Sequence, residues 1–472
     1  MSTVFGSSDS ADSAGSSGPG SSEGLPELHS DEHLRQSRDQ FELGNLSEAE
    51  RDQVRESRGT QKPDGSFLSW VITLFGTAVG AGILFLPLDA GSFGFWPLVA
   101  ATLFIGPLVF FSHRAYARIV SASPVKGLDV LQVITALTGR KRGAVTALMY
   151  WFSIYPVVLI YGVSITNTVD SFLVNQLGLP EMNRLLLAFL CVGVLAGSFA
   201  LGKKAMLWLA NILVYPLLLT LAAVSIYLIP QWDLGSFMAY ESDTPLWKSL
   251  LLILPILIFS FSHMAAVSQF ALDIQKAKNG DVHATEREVS RIELTASILM
   301  VVFTMFFVWS CTLALGAEGM DAATAANVPV LSYLANVTDA QFLAVITPII
   351  AICAITTSYY GHMLGTQEGT TYLLRVVAPN AVAKVSSRAL NAGINIFVFL
   401  TTVTVAVLNP PIMDLISVVG GIFITFLAYL VPSLLFRRAT AFKHYANRPD
   451  TIFVGIMGAV IMAVAIWQLF QS

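Results

Sequence analysis

Charged residues are scarce in this sequence. Asp, Glu, Lys and Arg make up 12% of the 472 residues, whereas ordinary soluble domains carry about 25%. Apolar residues make up 54%, and the mean hydropathy is +0.67. These proportions exclude a soluble globular enzyme, a disordered protein and a nucleic-acid-binding protein.

Cysteines and catalytic motifs are also few. The three cysteines, Cys191, Cys311 and Cys353, lie in apolar runs, and their spacing matches neither a disulfide framework nor a metal site. The sequence has no nucleotide-binding P-loop, no zinc-binding spacing and no serine–histidine–acid set at one depth. We therefore expect a protein that is not an enzyme, hydrolyses no ATP and needs no cofactor.

Most of the acidic excess lies at the N-terminus. Residues 1–66 hold 13 acidic and 6 basic residues, while the other 406 residues hold 18 acidic and 21 basic ones. Ser, Gly, Asp and Glu dominate this segment, which cannot bury enough apolar surface to offset its ordering entropy. We predict a disordered cytoplasmic tail over residues 1–66 and one membrane domain over residues 67–472.

Long apolar runs follow the tail. A membrane-spanning helix needs about 20 apolar residues and satisfies its own backbone hydrogen bonds in lipid. The sequence therefore predicts an all-α membrane protein with eleven transmembrane helices: Phe67–Leu88, Phe93–Phe111, Gly143–Leu173, Leu185–Leu201, Met206–Ile229, Leu250–Leu272, Leu294–Leu315, Phe342–Met363, Ala392–Leu408, Ile412–Phe436 and Ile452–Phe470.

The distribution of Lys and Arg predicts the orientation of these spans. With eleven spans and a cytoplasmic N-terminus, every Lys and Arg except Arg184 and Lys248 falls on the cytoplasmic side. Such an excess is typical of cytoplasmic loops. We therefore expect the N-terminus in the cytoplasm and the C-terminus outside.

The first span contains three glycines in seven residues. It reads GTAVGAG, with Gly76, Gly80 and Gly82. Small residues four positions apart allow two helices to pack closely. Alternatively, the glycines interrupt the helix and expose backbone groups, as transporters with inverted repeats do to hold a substrate and a cation.

The sixth span favours the second interpretation. It reads LPILIFSFSHMAAVSQF and places Ser260, Ser262 and His263 in an otherwise apolar run. An ionisable side chain at that depth is costly and indicates a functional site. The first and sixth spans are corresponding members of two five-helix halves, so their paired interruptions predict a binding site between them.

Several segments together resemble the bacterial hydroxy and aromatic amino acid permeases, and most of all the serine and threonine transporters among them. The runs that carry the resemblance extend over nearly all of Phe67 to Phe470: FGTAVGAGILFLPLDAG, YPVVLIYGVSITNT, FSFSHMAAVSQF, NVPVLSYLAN, YYGHMLGTQEG and NPPIMDLISVVGG. The resemblance implies a bacterial inner-membrane transporter with a leucine-transporter-type five-plus-five inverted repeat and one extra helix. It also implies import of a small neutral amino acid with a cation, usually a proton.

These interpretations lead to a set of expected site residues. We expect the substrate carboxylate near the N–H groups of Thr77, Ala78, Val79 and Gly80, and its ammonium near the carbonyls of Gly76 and Phe259. Ser260, Ser262 or Asn167 would read a substrate hydroxyl. Gly82 and Phe261 complete the expected site.

The coupling ion has two candidate sites. A proton is favoured, carried by His263, with Lys203 as a second candidate. Sodium is the alternative, held by the hydroxyls of Thr357 and Ser358, although hydroxyls within helices often bond to their own backbone. Threonine or an aromatic amino acid remains an alternative substrate, and a membrane sensor or channel a more remote alternative function. The expected partners are the amino acid, H⁺ or Na⁺, and lipid, with no nucleic acid.

Overall fold

The computed structural model describes residues Gly44, Leu46, 66–200 and 203–470, with the backbone alone at 81, 200, 203–211, 214 and 379. The predicted disorder of the tail therefore lies outside the described residues, except at Gly44, Leu46 and Ser66. Leu46 is 2% exposed and belongs to the main cluster of buried apolar residues. At least this tail residue contacts the helical body, which the composition of the tail does not predict.

The described residues form α-helices joined by short 3-10 and π-helical turns, and none of them forms a β-strand. In chain order, the helices are α1 (Phe67–Ala78), α2 (Ala81–Ser92), α3 (Phe95–Ser121), α4 (Val130–Thr138), α5 (Arg140–Ser171), α6 (Arg184–Ala200), α7 (Lys203–Tyr227), α8 (Leu234–Ala239), α9 (Leu246–Leu252), α10 (Leu254–Ser260), α11 (Met264–Ala277), α12 (Val282–Ala325), α13 (Val330–Val337), α14 (Gln341–Val377), α15 (Pro379–Val382), α16 (Ser387–Leu408), α17 (Ile412–Val418), α18 (Val431–Arg438) and α19 (Pro449–Leu469).

Seven helices of the described chain are long and apolar enough to cross a membrane. They are α3, α5 with its π-helical end, α12, α14, α16, α17 with α18, and α19. Two bent pairs, α1 with α2 and α9–α10 with α11, raise the number to nine if each pair is one span. Two shorter apolar helices lie where the fourth and fifth spans are predicted. The all-helical membrane fold is confirmed, while the count of eleven stays a prediction.

Two groups of helices share the core. In the first group, α12 packs along α1, α2 and α3, and α11 packs against α3. In the second, α5 packs along α14 and α16, with α6 beside α5 and α16. The breaks between α1 and α2 and between α10 and α11 lie where the two groups meet, because α2 and α10 also contact each other and α14 touches α2.

A buried ionic network ties the first group to the last helix. Arg118 is 2% exposed, and its guanidinium donates to Glu286 at 2.8 Å and to Asp450 at 2.7 Å. Arg114 also donates to Asp450, and the Tyr445 hydroxyl donates to Glu286 at 2.7 Å. Because the carboxylates share several donors, the network holds the basic ends of α3, α12 and α19 together.

Candidate functional site

The first span is interrupted at Val79 and Gly80. Helix α1 ends at Ala78, α2 begins at Ala81, and the two axes differ by 60°. A Cβ atom added to Gly80 would lie 2.0 Å from the Ser358 hydroxyl oxygen on α14. The absence of a side chain at position 80 therefore allows the break to approach α14, while α2 starts without a capping side chain.

The sixth span is interrupted at Phe261, Ser262 and His263. Helix α10 ends at Ser260, α11 begins at Met264, and the bend is 52°. The Ser260 hydroxyl donates to the carbonyl of Gly82 at 3.0 Å. Both predicted interruptions are present, and this hydrogen bond joins them directly.

A small cavity of about 50 Å³ lies between the two breaks. Helices α5 and α14 and the π-helical turn Val419–Ile424 close its sides. Its lining residues are Thr77, Ala78, Gly80, Gly82, Ser153, Ile154, Val157, Tyr161, Phe259, Ser262, Met264, Ala265, Ser358, His362 and Ile424. Backbone ends, hydroxyls and aromatic side chains therefore border one small space, as expected for a small molecule with a charged backbone portion.

The structure gathers seven of the sequence-predicted residues around this cavity: Thr77, Ala78, Gly80, Gly82, Phe259, Ser262 and Ser358. Gly76, Val79, Phe261 and Thr357 do not line it. Ser260 lies beside it, with its hydroxyl directed to Gly82. The side chain of Lys203 lies outside the described residues.

Thr357, an expected sodium ligand, does not line the cavity. This hydroxyl donates to the carbonyl of Ala354 at 3.0 Å, one turn earlier in α14. Such bonding to the helix backbone is common for Ser and Thr in apolar helices. Of the two predicted sodium ligands, Ser358 alone lines the cavity.

Asn167, which was expected to read a substrate hydroxyl, does not line the cavity. Its side-chain nitrogen donates to the carbonyl of Asn327 at 2.8 Å and to the side-chain oxygen of Asn409 at 3.0 Å, and its oxygen accepts from Arg184 at 2.7 Å. Asn327 also donates to Asn409 at 2.9 Å. These hydrogen bonds use both side-chain N–H groups of Asn167 and direct its side chain to the asparagines and Arg184.

The asparagine cluster of Asn167, Asn327 and Asn409 lies at the end of the molecule opposite the loops that carry most of the Lys and Arg residues. Asn327 and Asn409 have φ values of 54° and 49°, a conformation in which Asn is more common than most residues. The cluster joins α5, the segment after α12 and the start of α17. Its side-chain hydrogen bonds hold these segments together.

The opposite end opens into a vestibule of about 800 Å³. Residues of α4, α11, α14 and α16 line it, among them Gln132, Gln269, Gln367 and Arg375. Ala265 borders both this vestibule and the small cavity. In this conformation the small cavity is therefore adjacent to the vestibule at the basic end of the bundle.

His263 lies on the far side of the break from the cavity. Its Nε2 atom is 2.9 Å from Oε2 of Glu293 on α12, and its ring stacks on that of His113 with centroids 3.9 Å apart. Glu293 was missed because the predicted seventh span began one residue later, at Leu294. The general signal for an ionisable residue within a span would have found it.

The chain matches known proteins over the whole membrane domain. The model of the tryptophan/tyrosine permease family matches residues 64–470. The serine transporter SdaC of Escherichia coli strain K12 is 35% identical over 408 residues, which cover 85% of this chain and 94% of that protein. The serine transporter SdaC of Shigella flexneri is also 35% identical over 408 residues.

Two solved structures share the fold at low sequence identity. MhsT in complex with L-phenylalanine has a TM-score of 0.53 and 13% identity, over 86% of this chain and 97% of that chain. The Eremococcus coleocola manganese transporter, with an aromatic bis-isothiourea substituted compound, has a TM-score of 0.56 and 14% identity, over 85% of each chain. These similarities establish a leucine-transporter-type fold.

Proposed function

Because this chain belongs to the tryptophan/tyrosine permease family and is an amino acid transporter of the membrane, we propose that it imports serine or a similarly small hydroxy amino acid. We place the substrate in the cavity between the two helix breaks. Import occurs by alternating access, in symport with a cation, across the inner membrane of a bacterium. The N-terminus lies in the cytoplasm and the C-terminus outside.

The side chains that border the cavity favour a small substrate. Tyr161, Phe259 and Ile424 are bulky lining residues, so a small side chain fits beside them more easily than an indole or phenol ring does. The hydroxyl of serine can also form hydrogen bonds with the hydroxyl groups that line the cavity. Relatives that are 35% identical are serine transporters, which supports the same choice.

The helix ends explain how the amino acid backbone is held. The first N–H groups of α2 lack a side-chain cap, and the N-terminus of a helix favours an anion. We therefore place the substrate carboxylate at the N–H groups that begin at Ala81, directly after the expected position at residues 77–80. The last residues of α1 and α10, among them Ala78 and Phe259, line the same cavity, and the carbonyl end of a helix favours the ammonium group.

The hydroxyl of the substrate is best read by Ser262. This side chain lines the cavity and makes no hydrogen bond among the described residues, whereas the Ser260 hydroxyl is bound to Gly82. Ser153 also lines the cavity, with its hydroxyl donating to the carbonyl of Tyr150 at 2.7 Å. Ser262 is thus the lining serine best able to donate to the substrate.

A transport assay tests the proposal. Purified protein in liposomes is assayed for uptake of labelled serine, with proton and sodium gradients imposed separately. Unlabelled threonine, alanine, phenylalanine and tryptophan compete in parallel. We expect saturable uptake, competition by the small amino acids and accumulation driven by the proton gradient. Stronger competition by tryptophan or phenylalanine than by serine contradicts the proposed substrate, and accumulation driven only by sodium contradicts the proposed ion.

Ser262→Ala is expected to weaken serine binding by about twofold to twelvefold, because one hydrogen bond contributes about 0.5–1.5 kcal/mol. Competition by alanine, which has no hydroxyl, should stay unchanged. The measurement is the apparent affinity of each competitor. Ser260→Ala is the matched control, since loss of its bond to Gly82 should weaken both amino acids alike. An equal loss for serine and alanine in Ser262→Ala would show that Ser262 does not read the hydroxyl.

We also propose that residues 1–66 are a tail separate from the transport domain of residues 67–472. Deletion of residues 1–60 is expected to leave serine uptake within about threefold, since the tail contributes little apolar surface. Leu46→Ala in the full chain tests the one described tail contact separately. Complete loss of uptake by an inserted deletion variant would make the tail part of the transport machinery.

A further inference from the structure

Three ionisable side chains meet inside the protein without lining the substrate cavity. Glu293 on α12 and His263 at the second break are both 0% exposed, and His113 on α3 is 2% exposed. Nε2 of His263 lies 2.9 Å from Oε2 of Glu293. The other carboxylate oxygen of Glu293 has no hydrogen-bond partner among the described residues. The Glu293 carboxylate is costly to bury as an unpaired anion, so the protein has to control whether it carries a proton.

The contacts of His113 define it as a neutral acceptor. Its Nε2 atom accepts from the backbone N–H of His263 at 3.3 Å, so this nitrogen carries no proton. Its Nδ1 atom lies 3.0 Å from the carbonyl of Val109, which makes Nδ1 the donor. The ring also stacks on the His263 ring with an interplanar angle of 15°. His113 therefore holds the backbone and the ring of His263 in place.

The contacts of His263 leave one nitrogen to exchange a proton. Its Nδ1 atom lies 3.2 Å from the carbonyl of Phe261, an acceptor, so Nδ1 carries a hydrogen. A hydrogen bond of 2.9 Å between Nε2 and Glu293 then requires one proton between them, on either atom. Without that proton, two lone pairs would face each other in a buried site with a net negative charge.

We propose that Glu293 and His263 together form the binding site of the transported proton, with His113 as a positioning residue. This inference rests on the proposed proton symport and adds a carboxyl group to it. The proton enters from the outer side, binds between the carboxylate and the imidazole, and leaves toward the cytoplasm. No covalent bond other than those to the proton changes.

The geometry also links the proton to the substrate. His263 directly follows Ser262, which lines the cavity, and its ring donates to the carbonyl of Phe261 in the same break. A proton on the pair therefore ties the second break to α12. Loss of the proton removes that tie and frees the break to move. The proton can thus change the shape of the substrate cavity without entering it.

No described basic side chain competes for Glu293. On its own helix, Glu286 pairs with Arg118, and Glu288 lies 3.9 Å from the Lys278 ammonium. From the packed elements, His263 is the ionic partner of Glu293 among the described residues, and His113 stacks on the His263 ring. Its charge is therefore set by this cluster.

Glu293→Gln tests the site, because the amide keeps the size of the side chain and cannot exchange the proton. Variants are placed in liposomes that contain a pH-sensitive dye, with the outside more acidic than the inside. Three quantities are measured: serine accumulation, serine-induced entry of protons, and counterflow exchange of labelled for unlabelled serine. Glu293→Gln and His263→Gln are expected to lose proton entry, to accumulate at least about tenfold less serine and to keep counterflow within about threefold.

Two further variants control for a structural effect. Glu288→Gln, on the same helix with two long ion pairs, to Lys278 at 3.9 Å and Arg291 at 4.0 Å, should leave all three measurements unchanged. Glu293→Asp keeps a carboxyl group and should recover part of the proton entry, with a changed dependence on outside pH. Loss of counterflow in both the Gln and the Asp variants would overturn the proposal in favour of a structural role for Glu293.

The same assay separates failure of this inference from failure of the proposed function. If the wild-type protein admits protons with serine and Glu293→Gln does so equally well, the proton site lies elsewhere and this inference is overturned alone. If the wild-type protein accumulates serine only with sodium, both the proposed ion and this inference are overturned, while the proposed substrate stands. Wild-type proton entry that Glu293→Gln abolishes, with counterflow preserved, supports both.

Discussion

Gly80→Leu is expected to abolish serine uptake in protein that is still inserted in the membrane. A Cβ atom at this position would lie 2.0 Å from the hydroxyl oxygen of Ser358 and 3.2 Å from its Cβ atom. The leucine side chain would also occupy the cavity where we place the substrate carboxylate. Uptake per inserted molecule is the measurement, and Gly361→Leu, at a site with no atom within 4 Å of a new Cβ, is the control.

Smaller substitutions separate the two causes of the lost uptake, which are the clash with Ser358 and the filling of the cavity. Gly80→Ala is expected to reduce uptake by about tenfold, because overpacking costs about 1–3 kcal/mol. Adding Ser358→Ala removes the oxygen that the new Cβ meets and should restore part of the uptake. If Gly80→Leu transports serine normally, neither the close approach to α14 nor the position of the carboxylate is correct.

Gly420→Ala is expected to abolish uptake as well and to lower stability by about 1–3 kcal/mol. Gly420 lies in the π-helical turn Val419–Ile424. A Cβ atom there would lie 2.3 Å from the carbonyl oxygen of Pro255 and 2.9 Å from the Cβ atom of Phe259. Both neighbours belong to α10, so the clash would displace the helix that leads into the second break.

The control for Gly420→Ala is Gly393→Ala, because no atom lies within 4 Å of a Cβ atom at that site. Thermal unfolding in detergent and serine uptake in liposomes are measured for both variants. Gly393→Ala should equal the wild type in both unfolding temperature and serine uptake. Wild-type stability and uptake in Gly420→Ala would show that α10 can shift without cost and that its position does not shape the cavity.

The two helix breaks could be predicted from the sequence because their signals are local. Gly76, Gly80 and Gly82 lower the cost of leaving a helical conformation, and polar residues from Ser260 to His263 interrupt an apolar run. Each signal lies within the segment that it alters. The two segments occupy corresponding positions in the two halves of the chain, which predicted that the breaks meet. The hydrogen bond from Ser260 to Gly82 confirms that they do.

The membrane character was likewise determined by the sequence, since it depends on composition and on the lengths of apolar runs. The sequence did not determine the exact number of spans, because short helices such as α6 and bent pairs such as α1 with α2 meet the length requirement only in part.

Only the tertiary structure decided which side chains meet across helices. Glu293 pairs with His263 thirty residues away, and Asn167 turns to Asn327 and Asn409 rather than to the cavity. Contacts of this kind depend on the rotation and tilt of each helix, which packing against neighbours sets. A sequence pattern places a polar residue within a span. The packed bundle decides whether that residue faces the cavity, another helix or its own backbone, as Ser262, Glu293 and Thr357 do respectively.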